Sequence, residues 1–199
     1  LAKSGAKFGK TAEGAVWLDP ARTSPFAFRQ FWMEQDDESI ASLLHRFTLD
    51  SVAETAALMV RHAENPAARR AQRHLARTVT GMVHGADVEA RAATVADALF
   101  GDGEGGTPDL RALTPEALAM LANELPTSGL PAATDATLVD LVIAAGLGTS
   151  KSEARRLIEQ GGVSVNGAPA PDGAAAASSF TPLADGSLLL RKGRRDYRL

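Results

Sequence analysis

Apolar positions in this chain recur every three or four residues through most of its first hundred positions and every two only near its end. The sequence therefore predicts helices followed by a little sheet. Ser24 and Pro25 open the first helix: the serine suits the N-cap, and the proline suits the first helical position, where a missing N–H costs nothing. Phe28, Phe31 and Trp32 fall on one face of it, a face expected to be buried rather than free to stack on bases. A second helix begins at Asp36 or Asp37, whose carboxylates favour the positive end of the helix dipole, and places Ile40, Leu43, Leu44 and Phe47 on one side. Ser51 and Glu54 form a candidate capping box for a third helix reaching about Ala63, and Pro66 breaks it from a fourth. The fourth is long and basic. It carries Arg69, Arg70, Arg73 and Arg77 to His84, and Gly85 ends it. An alanine-rich fifth helix spans 88–100.

The glycine run from Gly101 to Gly106 predicts a mobile surface loop, and Thr114-Pro115-Glu116 restarts a helix by the same capping logic. From Pro126 to Asp135 no period survives, which suggests a domain boundary. Beyond it, Leu138, Leu141, Val142 and Ala145 make a short helix ended by Gly146, and residues 150–159 make another. Val163-Ser164-Val165 then alternates into Asn166-Gly167, a strong hairpin signal; Leu188-Leu189-Leu190 and Tyr197 supply later strands. The Ala/Pro stretch 168–177 reads as loop, as does Leu1–Asp19, which leads into a short apolar element around Val16, Trp17 and Leu18.

Size and composition narrow the class. A length of 199 residues fits two unequal domains better than one, and 45% apolar with 23% charged residues suits a globular core. Without cysteine there is neither a disulfide framework nor a thiolate metal site, and no apolar run is long enough to span a bilayer, so a cytoplasmic protein is expected. Leu1 stands where an initiator methionine is expected, and the residues after it read as a loop from inside a domain, so the chain is expected to be part of a longer protein. The net charge of −3 gives no global reason to bind nucleic acid; a site for it must come from local concentrations of base. One lies at the end, where Arg191, Lys192, Arg194, Arg195 and Arg198 are opposed only by Asp196.

Three groups of residues carry candidate chemistry. Lys7-Phe8-Gly9-Lys10-Thr11 sets two ammonium groups on a glycine-containing loop, which suits a polyphosphate or is simply a solvated turn. Thr149 to Gly167 contains a helix capped by Ser150 or Ser152, with Lys151, Arg155 and Arg156 exposed and Leu157 and Ile158 turned inward. Basic groups beside a glycine turn can contact successive phosphates of RNA. The arginines of the fourth helix are either a nucleic-acid stripe or a solvated face. His45, His62, His74 and His84 lack partners at metal-ligand spacing, and no metal site is expected.

The KFGKT pentapeptide is followed by Gly14-Ala15-Val16-Trp17-Leu18-Asp19-Pro20, Thr23-Ser24-Pro25-Phe26 and Phe28-Arg29-Gln30-Phe31-Trp32. This succession closely resembles bacterial tyrosyl-tRNA synthetases, as do Asp36-Asp37, Phe47-Thr48, Val83-His84-Gly85 and Ala98-Leu99-Phe100 in family order. In that family the pentapeptide is the second class I signature, usually KMSKS. The resemblance implies that Lys10 is the main ATP-contacting lysine, that Lys7 assists, and that Gly9 and Thr11 complete the ATP loop. The family has tyrosine at the positions of Phe26 and Arg29, so neither is carried over as functional. Thr149 to Gly167, with Leu190 to Tyr197, resembles the S-four-type RNA-binding module that ends these enzymes, although 168–179 departs from its pattern.

The expected architecture is thus mainly α, with a helical anticodon-binding domain followed by a small α+β S-four-type RNA-binding domain. Residues 1–20 would end the class I catalytic domain, 21–131 would form the helical domain and 132–199 the terminal one. RNA contacts are expected from Ser150, Lys151, Ser152, Arg155, Arg156, Asn166, Lys192 and Arg194. By the resemblance, the partners are tRNA(Tyr), with tyrosine, ATP and its magnesium counter-ion in the parent enzyme, which is a homodimer. The family's nucleotide-binding domain, with its HIGH signature and tyrosine pocket, has no counterpart here. Catalysis by this chain alone is not expected, no cofactor is expected bound to it, and it is expected to be monomeric. A stand-alone RNA-binding module protein is the alternative, disfavoured by residues 7 to 32; a helical scaffold that binds only protein is a third.

Overall fold

The structure, a computed structural model, describes residues 16–101, 110–129, 135–193 and 196–199. The ATP-loop residues Lys7, Gly9, Lys10 and Thr11, the glycine run beyond Gly101, and Arg194 lie outside the described residues. The described part is mostly helical with a small antiparallel sheet, as expected, and it divides into two compact units at Ala96/Asp97.

In the first unit, α1 (Pro25–Met33), α2 (Asp37–Phe47) and α3 (Val52–Glu64) all pack on α4 (Arg70–His84), which α5 (Ala86–Phe100) follows. The period-3.6 stripes meet here: Phe28, Trp32, Ile40, Leu44, Leu75 and Val79 form the core. Phe28 and Trp32 stand edge to face at 6.1 Å, and Trp32 meets Phe47 at 4.9 Å, so these rings are packing groups. Local caps set the helix starts. Ser24 Oγ accepts from Ala27 N at 3.0 Å, Asp36 Oδ1 from Ser39 N at 2.7 Å, and Ser51 and Glu54 complete the capping box.

One residue of the basic fourth helix departs from expectation. Pro66–Ala68 forms a 3₁₀ turn, and Arg69 follows it in the left-handed region (φ 52°), ahead of α4 rather than on it. Its guanidinium turns back to α1, where Nη2 donates to the Met33 and Gln35 carbonyls at 2.6 and 2.8 Å. Helices leave their last carbonyls without partners, and a cation there also opposes the helix dipole. That local demand, and not the α4 period, decides where Arg69 points.

In the second unit, the last turn of α5 joins α6 (Pro115–Glu124), α7 (Leu138–Ala144) and α8 (Lys151–Glu159). Strands β1 (Val163–Val165), β2 (Ala168–Pro169), β3 (Leu190–Lys192) and β4 (Asp196–Arg198) form an antiparallel sheet in the order β2-β1-β3-β4. Asn166 (φ 48°) and Gly167 (φ 83°) make the expected hairpin, since both central residues of such a turn need positive φ. Pairing aligns Val165 with Leu190 and Arg198, and Ser164 with Arg191 and Tyr197. Alternation then sends Val163, Val165 and Leu190 to one face, into a core with Leu138, Val142, Leu147 and Ile158. Tyr197 lies on the other face, where its hydroxyl donates to the Leu99 carbonyl at 3.2 Å and its ring meets Phe100 at 6.2 Å.

Two sequence expectations change here. The strand expected at Leu188-Leu189-Leu190 begins only at Leu190, because Asn166 takes the place of a ladder partner: its N donates to the Leu189 carbonyl and its Oδ1 accepts from Leu189 N, both at 2.8 Å. The stretch 168–177 is more than loop. Ala168 and Pro169 form β2, and farther on the chain docks against the start of α7, whose Leu138 and Val139 N–H groups donate to the Ala175 and Gly173 carbonyls at 2.8 and 3.2 Å. Those N–H groups are among the four that a helix start leaves unmatched.

Candidate nucleic-acid interface

The α8 helix buries Ala154 and Ile158 against α7 and the sheet, while Lys151, Ser152, Arg155 and Arg156 are exposed. Five residues at 3.6 per turn put Lys151 and Arg156 about 140° apart around the helix, so the basic side chains spread over the whole outward arc. Lys151 and Arg155, four apart, share the flank beside α7, where Lys151 Nζ lies 3.1 Å from Asp140 Oδ1. Ser150 is the N-cap, its Oγ accepting from Glu153 N at 3.2 Å.

Glu153 organises the opposite flank. Its Oε2 accepts from Thr149 Oγ1 at 2.5 Å and from Thr149 N at 2.8 Å, and its Oε1 is 4.0 Å from Lys192 Nζ. The Thr149 hydroxyl first, then the Thr149 N–H, hold the carboxyl below the usual range, with smaller contributions from Lys192 and Arg156. Lys192 also donates to the Leu147 carbonyl at 2.9 Å, which fixes its ammonium at the α7–α8 turn. Lys151 and Lys192 are thus fixed by Asp140, Glu153 and the Leu147 carbonyl beside the first turn of α8, and Arg155 and Arg156 follow, exposed, on its next turn. Cations so placed are suited to charge-assisted hydrogen bonds with phosphate oxygens.

Of the remaining sequence candidates, Ser150 and Ser152 belong to α8 itself, while Asn166 is engaged elsewhere. Asn166 spends its amide on the protein itself: Nδ2 donates to the Thr181 carbonyl at 2.9 Å while Oδ1 serves Leu189 N. Arg191 alternates to the sheet face of Tyr197, away from Lys192, and Arg198 pairs with Asp196. The terminal basic run is thus divided between faces by the period of two. Sequence reasoning gave no role to Thr149 or Glu153, although Ser150 with Glu153 three residues on is a readable helix-start signature.

Histidines serve as packing and hydrogen-bonding groups. His62 Nε2 lies 3.1 Å from Asp37 Oδ1, His74 Nε2 is 2.7 Å from Asp50 Oδ2, and the half-buried His84 ring stands edge-on to Phe28 at 4.9 Å. Burial pushes the His84 pKa down. Among the described residues, no cluster of three or more His, Asp or Glu could hold a metal ion.

Comparison with known proteins identifies relatives of this chain. A family model described as tRNA synthetases class I (W and Y) matches residues 1–101, and one described as the tyrosine–tRNA ligase SYY-like C-terminal domain matches residues 117–199. The tyrosine–tRNA ligase of Anaeromyxobacter dehalogenans (strain 2CP-1 / ATCC BAA-258) is 46% identical over 198 residues, 98% of this chain and 46% of that protein. That of Roseiflexus castenholzii (strain DSM 13941 / HLO8) is 41% identical over 199 residues, again 98% of this chain and 46% of the relative. A solved structure of a C-terminally truncated Coccidioides posadasii mitochondrial tyrosyl-tRNA synthetase covers 46% of this chain and 24% of its own, at 29% identity and a TM-score of 0.41. The chain spans a little under half the length of the curated relatives it matches.

Proposed function

The chain belongs to the tyrosyl-tRNA synthetase family, and from that premise we propose that it is the tRNA-binding part of a tyrosine–tRNA ligase, engaging tRNA(Tyr) through the outward face of α8. The observation that carries this reading is that Lys151 and Lys192, held at Asp140 and Glu153 on the two flanks of α8, stand with the exposed Arg155 and Arg156 in a chain that is acidic overall. In the whole enzyme, tyrosine and ATP give tyrosyl-adenylate and pyrophosphate, and the tyrosyl group then passes to the tRNA with release of AMP. Ser152, exposed on the same helix, adds a hydroxyl for sugar or phosphate. Ser150 and Asn166, with their side chains engaged by the backbone, shape the site rather than lead the contact, and Arg194, between β3 and β4 in the sequence, adds a further cation.

Lys7, Gly9, Lys10 and Thr11 form the ATP loop on this reading, with Lys10 on the phosphates and Lys7 assisting as charge builds on the departing pyrophosphate. Magnesium accompanies ATP as its counter-ion. Residues 1–20 then close the catalytic domain, 21–131 form the anticodon-binding domain and 132–199 the terminal RNA-binding domain. The parent enzyme is a cytoplasmic homodimer joined through its nucleotide-binding domain, and this chain by itself is a monomer without ligase activity.

The test removes charge from α8 alone. Arg155→Gln with Arg156→Gln weakens tRNA(Tyr) binding about tenfold and flattens the log–log salt dependence by roughly 0.7–0.9 for each phosphate no longer neutralised. Unchanged affinity at low salt removes the α8 face from the account.

A further inference from the structure

Glu153 carries the sign of charge that repels RNA, yet it stands on the first turn of α8 among the cations of the proposed RNA face. Its two oxygens have different tasks. Oε2 takes both donors of Thr149, the hydroxyl at 2.5 Å and the N–H at 2.8 Å, and so pins the end of the α7–α8 turn to the helix. Oε1 is left toward Lys192 Nζ at 4.0 Å, too long for a hydrogen bond but within the reach of charge attraction between two half-buried side chains.

The turn itself is closely packed. Leu147 is buried, its N–H donates to the Val142 carbonyl at 3.0 Å, and a Cβ on Gly148 would meet Ala154 Cβ at 3.4 Å and Val142 Cγ1 at 3.5 Å. Gly148 alone separates the Thr149 N–H, held by Glu153, from the Leu147 carbonyl, which accepts from Lys192 Nζ at 2.9 Å. Lys192 is also fixed at its other end: its backbone pairs with Val163 in the sheet, and the next residue, Gly193, donates its N–H to the Gly162 carbonyl at 2.8 Å. An ammonium has three donors, so the contacts to Leu147 and toward Glu153 still leave one for a phosphate oxygen. A lysine already ordered in this way gives up less rotamer freedom when RNA binds.

We propose that Glu153 is a positioning residue for RNA binding: it fixes the Thr149 turn and, with it, the Lys192 ammonium, so that removing this negative charge weakens binding. Simple electrostatics requires the opposite sign, since loss of a carboxylate from a phosphate-binding face raises its positive potential. The inference rests on the RNA-binding reading of the α8 face above.

The test is a double-mutant cycle between Glu153 and Lys192, read by fluorescence anisotropy of a labelled tRNA(Tyr) transcript titrated with the 199-residue chain at several salt concentrations. Lys192→Gln loses one phosphate contact, about sixfold in affinity at 0.1 M salt, with the log–log slope lower by roughly 0.7–0.9. Glu153→Gln keeps the shape and an oxygen for Thr149 but leaves the ammonium charged and unfixed, and weakens binding about threefold. Thr149→Val, which removes the hydroxyl donor and keeps the N–H, moves affinity in the same direction. In the Lys192→Gln background, Glu153→Gln costs nothing further, because the group it positions is gone; a carboxylate acting only on the fold would weaken binding by the same factor in both backgrounds. Glu159→Gln removes the same charge from the other end of α8 and leaves affinity unchanged or slightly higher.

Binding by Glu153→Gln that equals or exceeds that of the parent chain overturns the proposal. So does an equal loss in Glu159→Gln, an undiminished loss in the Lys192→Gln background, or a Lys192→Gln chain that binds as the parent does. If Arg155→Gln with Arg156→Gln weakens binding while Glu153→Gln does not, the positioning role falls and the α8 reading stands. If neither weakens it, both fall.

Discussion

Asp140 joins the starts of two helices: its Oδ2 accepts from Thr137 N at 3.0 Å and Thr137 Oγ1 at 2.7 Å, while its Oδ1 lies 3.1 Å from Lys151 Nζ on α8. The same carboxylate that completes the first turn of α7 thus holds the first basic residue of the proposed RNA face. The arrangement sets Lys151 by a helix cap, so the orientation of a candidate phosphate contact is coupled to the integrity of α7.

This coupling has a pH signature. The Thr137 N–H, then the Thr137 hydroxyl, and only then Lys151 lower the Asp140 pKa from 3.8 to about 2. A carboxyl depressed in the folded state adds stability that is present above its unfolded value and lost as pH falls through the folded one. Asp140 should therefore protect α7 above about pH 4 and cease to do so as pH falls toward 2, with Glu153, also lowered, acting in the same direction on α8. Carboxyl-carbon NMR should give an Asp140 midpoint near 2, and Lys151→Met should raise it only part of the way because the Thr137 bonds remain. A midpoint near 3.8 in the parent chain would contradict the cap.

Gly173 supports the same helix from below. A Cβ built there would stand 2.9 Å from Val139 Cγ2, with Ile158 Cδ1 and Arg155 Cγ at 3.6 and 3.8 Å. Val139 is a buried, β-branched residue on a helix, so its χ1 cannot swing aside cheaply. Gly173→Ala gains about 0.4–1 kcal/mol by restricting the unfolded chain and loses about 1–3 kcal/mol to overpacking. Overpacking is the larger effect, and urea unfolding should show net destabilisation. Adding Val139→Ala should recover part of it, so the double variant should be more stable than the sum of the two single changes implies. Strict additivity would mean that the two side chains do not meet.

These cases show what is legible in the sequence and what is not. Ser24, Asp36, Ser51 and Asn166-Gly167 act on backbone within a few residues, so the helix starts and the hairpin can be read one segment at a time. The α8 face is readable for the same reason, its exposed cations being fixed by one helical period. The docking of 173–177 on α7 is not, because alanine and glycine there contribute carbonyls and lack of bulk, and neither leaves a pattern. The groove lined by Arg29, Arg61, Arg70, Arg73 and Arg77 is half visible: the last three share a helix, but Arg29 and Arg61 join them only through tertiary packing.

Arg69 escapes the sequence pattern for a related reason, and its role yields a test in which glycine outperforms alanine. The side chain donates to the Met33 carbonyl from both Nε and Nη2, at 3.2 and 2.6 Å, and to that of Gln35 at 2.8 Å, binding the α1–α2 junction to the start of α4. Gln72 reinforces the junction by donating to Asp37 Oδ1 at 2.5 Å. Hydrogen bonds from a charged donor to such carbonyls contribute about 1.5–3 kcal/mol each at most, and Arg69→Ala should cost on the order of 1–3 kcal/mol overall because water can replace part of the loss. The backbone works in the other direction. At φ 52° a residue with a Cβ sits in the left-handed region at a cost of roughly 1–2 kcal/mol, from which glycine is exempt. Arg69→Gly should therefore be destabilising but milder than Arg69→Ala by about 1 kcal/mol, the reverse of the order inside a helix. Chemical denaturation of the two variants decides it: alanine equal to or more stable than glycine would place Arg69 on α4 proper, with helical φ, and return it to the basic stripe.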